Sequence, residues 1–189
     1  MKNLLIIIAT ILSFTATAQT ATEKEMFELV NQVRTNPKSF IPVVEAYIES
    51  CKKFNAMGGK AKANGQSVNF IAEANTLIRF LKTAKPVNAL ELSTKTYTIT
   101  KTHANFLDST KQVTHTSAKG ESYNNRLKVL GLTGGENCTT GNDVKRAMLL
   151  LLLDIGVTEK GHRDNIFNDK YTKVSIGNTG NYWVQDFIN

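Results

Sequence analysis

The side chains best suited to acid–base or metal chemistry are three histidines and a few carboxylates. His162 stands in Gly161-His162-Arg163-Asp164-Asn165-Ile166, behind the leucine-rich run Met148 to Leu153. His115 stands in a polar stretch, Val113 to Ser117, and Gly134-Gly135-Glu136-Asn137 lies between the two. A glycine beside a histidine lets backbones approach and frees the ring to point into a cleft. Imidazoles and carboxylates on separate loops can hold a divalent ion or move protons. The 47 residues from His115 to His162 match no local metal motif, so only the fold can bring them together. Asp154 and Glu159, just before His162, are the other carboxylates in reach. His103 would share a helical face with Ile99 and Phe106. A lone histidine on such a face is more often a packing residue than a ligand, and it is left out of the site.

The elements that must position these residues are legible in outline. Thr22 to Glu25 reads as a capping box, followed by Met26, Leu29, Val30 and Val33 at helical spacing. Asn36-Pro37 interrupts. A second helix starts near Ser39, with Pro42 in its first turn, and a third spans Ile71 to Lys82. Met57 to Gln66 is a loop by composition. Ser93 is a plausible N-cap for a helix reaching about Ser109, and Tyr123 to Leu130 is a short helix closed by Gly131. Gly134 to Cys138 reads as permissive backbone carrying one carboxylate. Asn142 can cap the next helix, which is apolar almost all round and must be buried on most sides. Val174 to Ile188 is a hairpin turning at Asn178 to Asn181. Helices early and strands late, without βαβ alternation, indicate an α+β domain whose remaining sheet comes from an unassigned segment.

Residues 1–18 form an export signal: Lys2, an apolar run from Leu4 to Phe14, and Ala16-Thr17-Ala18 as the cleavage site. That run falls short of the roughly 20 apolar residues of a spanning helix, and no later stretch reaches that length. The exported product, residues 19–189, is therefore expected to be secreted or periplasmic. It forms one domain without repeats or low-complexity tracts. Removing the signal takes one lysine from a net charge of +7 and leaves +6. Seven of the basic residues lie between Cys51 and Pro86, opposed only by Glu73. With no aromatic interleaving or nucleic-acid motif, this reads as a solvated face, and nucleic acid is not an expected partner. Cys51 and Cys138 are permitted to pair in an oxidising compartment, but geometry decides whether they do.

Taken in order, these pieces resemble the CAP superfamily of cysteine-rich secretory proteins, antigen 5 and plant pathogenesis-related proteins. The matching residues are Leu29-Val30-Asn31 with Arg34, Leu90 to Ser93, His115-Thr116-Ser117, Arg126 with Gly131, Gly135-Glu136-Asn137, Gly161-His162-Arg163 with Asn165-Ile166, Ile176-Gly177, and Tyr182 to Phe187. The Asp-x-Gly segment at Asp154 is similar to the bacterial secreted branch. The resemblance implies an α-β-α sandwich, a single CAP (SCP-like) domain, and a cleft with two histidines and two acids. By motif these are His115, Glu136 and His162. The second acid is Asp154 or Glu159, since the tryptophan that precedes this glutamate in many animal and plant members is missing here, and Asp154 is preferred for its Asp-x-Gly pattern.

Two functions fit. One is an exported binding module whose histidines hold a divalent ion, such as zinc, beside an unidentified small ligand, lipid, glycan or peptide; the protein would act as a monomer. The other is a metal-assisted hydrolase with Glu136 as general base. Thr116 and Ser117 could pair with His115, but no Gly-x-Ser-x-Gly elbow is present and such hydroxyls more often cap loops. The exported protein should begin at Gln19. Intact mass spectrometry of secreted material checks this, and an uncleaved N-terminus contradicts it.

Overall fold

A computed structural model describes residues 19–59, 62, 63 and 66–189; residues 1–18, expected from the sequence to be an export signal, lie outside the described residues. Helix α1 spans Ala21–Thr35 and α2 spans Ile41–Ala56, joined by a 3-10 turn at Pro37–Phe40. Strands β1 (Lys62–Ala63) and β2 (Gln66–Ser67) pair with each other, then α3 covers Phe70–Thr83 and β3 Glu91–Leu92. Helix α4 (Tyr97–Thr110), α5 (Tyr123–Lys128), β4 (Gly134–Thr140), α6 (Val144–Leu153), α7 (Gly161–Phe167), β5 (Lys173–Thr179) and β6 (Tyr182–Ile188) complete the chain.

The expected hairpin is β5–β6, turning through Gly180-Asn181 with Gly180 at φ 55. It is the centre of a four-stranded sheet in the order β3-β5-β6-β4, with β3 parallel to β5 and the other pairs antiparallel. The unassigned sheet segment is therefore Gly134 to Thr140, which is a strand and not a permissive loop. It forms the outer edge.

Alternation along the strands divides two helical layers. Cys138 and Val184 pack with Ala104 and Leu107 of α4. Val174, Ile176, Trp183 and Phe187 join the main core with α1, α2, α3 and α6. The result is the α+β, α-β-α arrangement expected. Helix α4 comes down on β5 at Gly177, where an added Cβ would lie 2.8 Å from the Thr100 carbonyl. In α6, Leu149, Leu151, Leu152 and Leu153 are buried, and Leu150 is half-buried. Covering nearly every side of this helix requires both neighbouring helices and the sheet.

Three local expectations move. The cap of α4 is Thr96, with the Ser93 hydroxyl accepting from the Thr96 hydroxyl at 2.9 Å. The cap of α6 is Asp143, which accepts from the Arg146 amide at 2.7 Å. The capping box of α1 is Thr20 with Glu23, while Thr22 and Glu25 are exposed. Both Cys51 and Cys138 are free thiols.

Glu23 is fully buried, and its two oxygens accept from Thr20 N (2.8 Å), Tyr97 Oη (2.9 Å), Lys101 Nζ (2.9 Å) and Asn178 N (2.9 Å). It ties α1 to α4 and to β5. Burial alone would raise its carboxyl, but the four donors outweigh that and hold it below the ordinary range. A depressed carboxylate contributes stability above the unfolded value, roughly 4.3 for Glu, and loses it as pH falls through the folded value. Glu23→Gln turns one acceptor into a donor facing donors, and it should cost about 2–4 kcal/mol at pH 7. The gap from wild type should narrow in acid. Urea unfolding at pH 7 and pH 4 checks this; equal midpoints at pH 7 would remove Glu23 from the account.

Candidate functional site

The free edge of β4 is where the residues singled out in the sequence meet. Glu136 faces α4 from this strand, and Asn137 faces the opposite layer. On the α4 side, the loop between α4 and α5 brings His115 in, with Nδ1 2.8 Å from Glu136 Oε1. Arg126 of α5 donates to Glu136 Oε2 and also to the carbonyls of His115 (2.9 Å) and Glu121 (3.1 Å). One guanidinium thus pins both the carboxylate and the loop that carries the ring.

On the other side, the α6–α7 junction brings in His162. Asp154 is the left-handed cap of α6, at φ 54, with its carboxylate buried. Its Oδ1 lies 2.8 Å from His162 Nδ1, and its Oδ2 accepts from the amides of His162 (3.0 Å) and Arg163 (3.2 Å). Asp154 therefore aims the ring and satisfies orphan amides at the start of α7. Arg163 and Lys160 return the favour at the end of α6, donating to the carbonyls of Leu152 (2.9 and 2.6 Å) and Asp154 (2.9 Å).

The two glycine-containing motifs interlock directly. Asn165 Nδ2 donates to Asn137 Oδ1 at 2.9 Å, and Asn137 Nδ2 donates to the His162 carbonyl at 3.1 Å. Gly135 leaves the room for this contact, since a Cβ would lie 2.4 Å from Asn165 Oδ1 and 2.5 Å from the Tyr171 hydroxyl and would displace those side chains. The rings of His115 and His162 come to 6.5 Å between centroids, tilted by 42°. The His115 side chain is 55% exposed and that of His162 17%. Each Nδ1 faces a carboxylate oxygen and so carries the proton, which leaves each Nε2 with a bare lone pair when the ring is neutral. Glu159 is exposed at φ 60 on the intervening turn.

Behind Glu136 lies a buried group that sequence reasoning did not assemble. His103 Nε2 is 3.9 Å from Glu136 Oε2, and His103, Glu136 and Cys138 bring donor atoms within 4.8 Å of one another. These three have the donor types of a metal site. Burial lowers His103 toward its neutral form, with Nε2 held 2.8 Å from the Thr114 carbonyl, and burial pushes the Cys138 thiol well up. Both Glu136 oxygens are already engaged, and the Arg126 charge is in contact. A cation there would compete with a guanidinium. Recognising β4 as a strand would have revealed Cys138, which shares a strand face with Glu136.

Asp186 was also missed. It pairs with Glu136 across β4–β6, is fully buried, and has Oδ1 without a hydrogen-bond partner among the described residues. Thr100 Oγ1 lies 2.6 Å from Asp186 Oδ2 and 2.9 Å from the Thr96 carbonyl. One hydroxyl proton cannot serve both, so a proton on Asp186 completes the set. Burial and the neighbouring Glu136 charge push Asp186 well above the carboxylate range, consistent with a neutral acid. For Glu136, burial opposes ionisation, but the His115 hydrogen bond and the Arg126 charge outweigh it and keep the carboxyl low.

The family model CAP, the cysteine-rich secretory protein family, matches residues 27–187. The chain belongs to that family. Among solved structures, it is similar to an extracellular protein containing an SCP domain from Bacillus anthracis str. Ames, at 20% identity and a TM-score of 0.46. The match covers 64% of this chain and 38% of that one, so the chain spans well under half the length of that protein. No curated protein matches.

Proposed function

We propose that the protein is an exported CAP-domain binding module in which His115 and His162 hold a divalent ion beside a small ligand. The observation that carries this reading is the pairing of each ring nitrogen Nδ1 with its own carboxylate, Glu136 or Asp154. Such carboxylate–imidazole pairs fix tautomer and ring orientation at metal sites. The spacing fits: two imidazoles on one zinc, with Zn–N of about 2.0–2.1 Å, put ring centroids roughly 5–6 Å apart. The 6.5 Å separation needs only a small ring adjustment. Imidazole donors suit zinc and its neighbours. The ion would act as a Lewis acid that holds an oxygen of the ligand, while Glu136 and Asp154 orient the rings.

In this proposal residues 1–18 are a cleaved export signal, read from Lys2, the apolar run to Phe14 and Ala16-Thr17-Ala18, and the site works outside the cytoplasm. Among the described residues, no helix is long and apolar enough to cross a membrane. The ligand is a small molecule, lipid, glycan or peptide, taken by a monomer. A hydrolase using Glu136 as base fits less well, because Glu136 would have to release His115 or Arg126 to reach a water.

Zinc titration of metal-free protein by calorimetry tests the site. Wild type should bind one ion. His115→Ala and His162→Ala should each weaken it by more than tenfold, and Asp154→Asn should weaken it roughly 10–100-fold by freeing the ring. Equal binding by wild type and both histidine variants would refute a shared site.

A further inference from the structure

His162 and Asp154 also line a cavity of about 430 Å³ whose wall does not include His115. That size lies within the ~300–1,000 Å³ of small-molecule pockets. Much of the lining is apolar, including Leu150, Ile155, Phe70 and Val113. Val113 is 49% exposed and has not been taken up into the core. One cation, Arg146, stands on this cavity.

Arg146 sits in the first turn of α6 and is half-buried, with its guanidinium over the Tyr47 ring at 5.3 Å from the centroid. Among the described residues no carboxylate forms an ion pair with it. Helix electrostatics do not account for it either, since a cation in a first turn opposes the macrodipole. The other buried or half-buried arginines all have several partners: Arg34 and Arg163 on carbonyls, Arg126 on Glu136. A guanidinium beside an aromatic ring and in the wall of a largely apolar cavity offers a planar fork to an incoming carboxylate.

We propose that this cavity binds a small organic carboxylate with an aliphatic or aromatic body. The carboxylate sits on the Arg146 fork, and the body lies against Leu150, Ile155, Phe70 and Val113. The Tyr47 ring keeps the guanidinium in place at low entropic cost. This adopts the cleft reading above and supplies the chemistry of its ligand. The positive charge of the exported chain, +6, favours an anion over a cation of the same shape.

The test uses three probes of one shape: 4-phenylbutyrate, 4-phenylbutanol and 4-phenylbutylamine. Each is titrated by NMR into metal-free exported protein, as wild type, Arg146→Gln and Arg146→Lys. The acid should bind wild type about tenfold or more tighter than the alcohol, as expected for a hydrogen bond to a charged group. The amine should bind weakest. Arg146→Gln should reduce the acid to the level of the alcohol, and Arg146→Lys should recover part of the difference. Equal binding of the acid by wild type and Arg146→Gln overturns the proposal, as does equal binding of all three probes by wild type. The probe comparison on wild type decides the matter even if a variant does not fold. Zinc titration separates the two readings. A protein that takes the acid through Arg146 but binds no zinc loses the metal site and keeps this one. A protein that binds zinc but prefers no probe loses this one alone.

Discussion

Glu136 is an ionised carboxylate in a place almost closed to water, and the surrounding structure is arranged to hold that charge. An isolated buried carboxylate would take up a proton. Here a guanidinium on one oxygen and an imidazole on the other keep it charged. The cost appears on the next strand, where Asp186 faces Glu136 and two like charges cannot both persist. Burial and the Glu136 charge push Asp186 toward its neutral form. The requirement also dictates topology, because Arg126 must come from a helix that follows the His115 loop closely enough to clamp its carbonyls. If the Arg126 bond were lost, the carboxylate, the ring and the loop would all lose their common anchor.

The second half of the cleft solves the same problem by a different route. Asp154 occupies left-handed backbone space at the end of α6, and Glu159 and Lys160 do so shortly after. Such conformations cost of order 1–3 kcal/mol each in non-glycine residues and persist where surroundings over-determine them. What over-determines them is visible: Asp154 accepts from the ring and two amides of α7, while Lys160 and Arg163 close the carbonyl end of α6. The backbone of this junction is bent into an uncommon shape so that one buried carboxylate can point a histidine outward. Gly161-His162-Arg163 is conspicuous in the sequence for that reason.

The parts of the fold that were legible in the sequence are those with apolar periodicity: α1, α2, α3, α6 and the β5–β6 hairpin. Strand β4 was not, because its residues serve polar partners on both faces. Glu136 faces α4 with Cys138, and Asn137 faces α7. The alternation of apolar and polar residues that marks a strand is absent, and Gly134-Gly135 imitates a turn. The capping box was ambiguous locally, since Thr20-x-x-Glu23 and Thr22-x-x-Glu25 both satisfy the pattern. Only the donors on α4 and β5 select Glu23. His115, Glu136, Asp154 and His162 were legible through the order of their motifs, and the structure brings each ring to a carboxylate. Asp186 and His103 were hidden inside strand and helix faces that read as core. They are core, and they also touch Glu136 or its network.

The central claim is that carboxylates occupy Nδ1 of both rings and leave both Nε2 atoms for a shared ion. Long-range proton–nitrogen NMR of the metal-free protein reads this directly, because the two imidazole nitrogens differ in chemical shift with tautomer. The account predicts that neutral His115 and His162 are both protonated at Nδ1, and that zinc moves the Nε2 signals of the two together in one titration. An Nε2-protonated tautomer at either ring, or Nε2 signals that respond to zinc independently of each other, would contradict it.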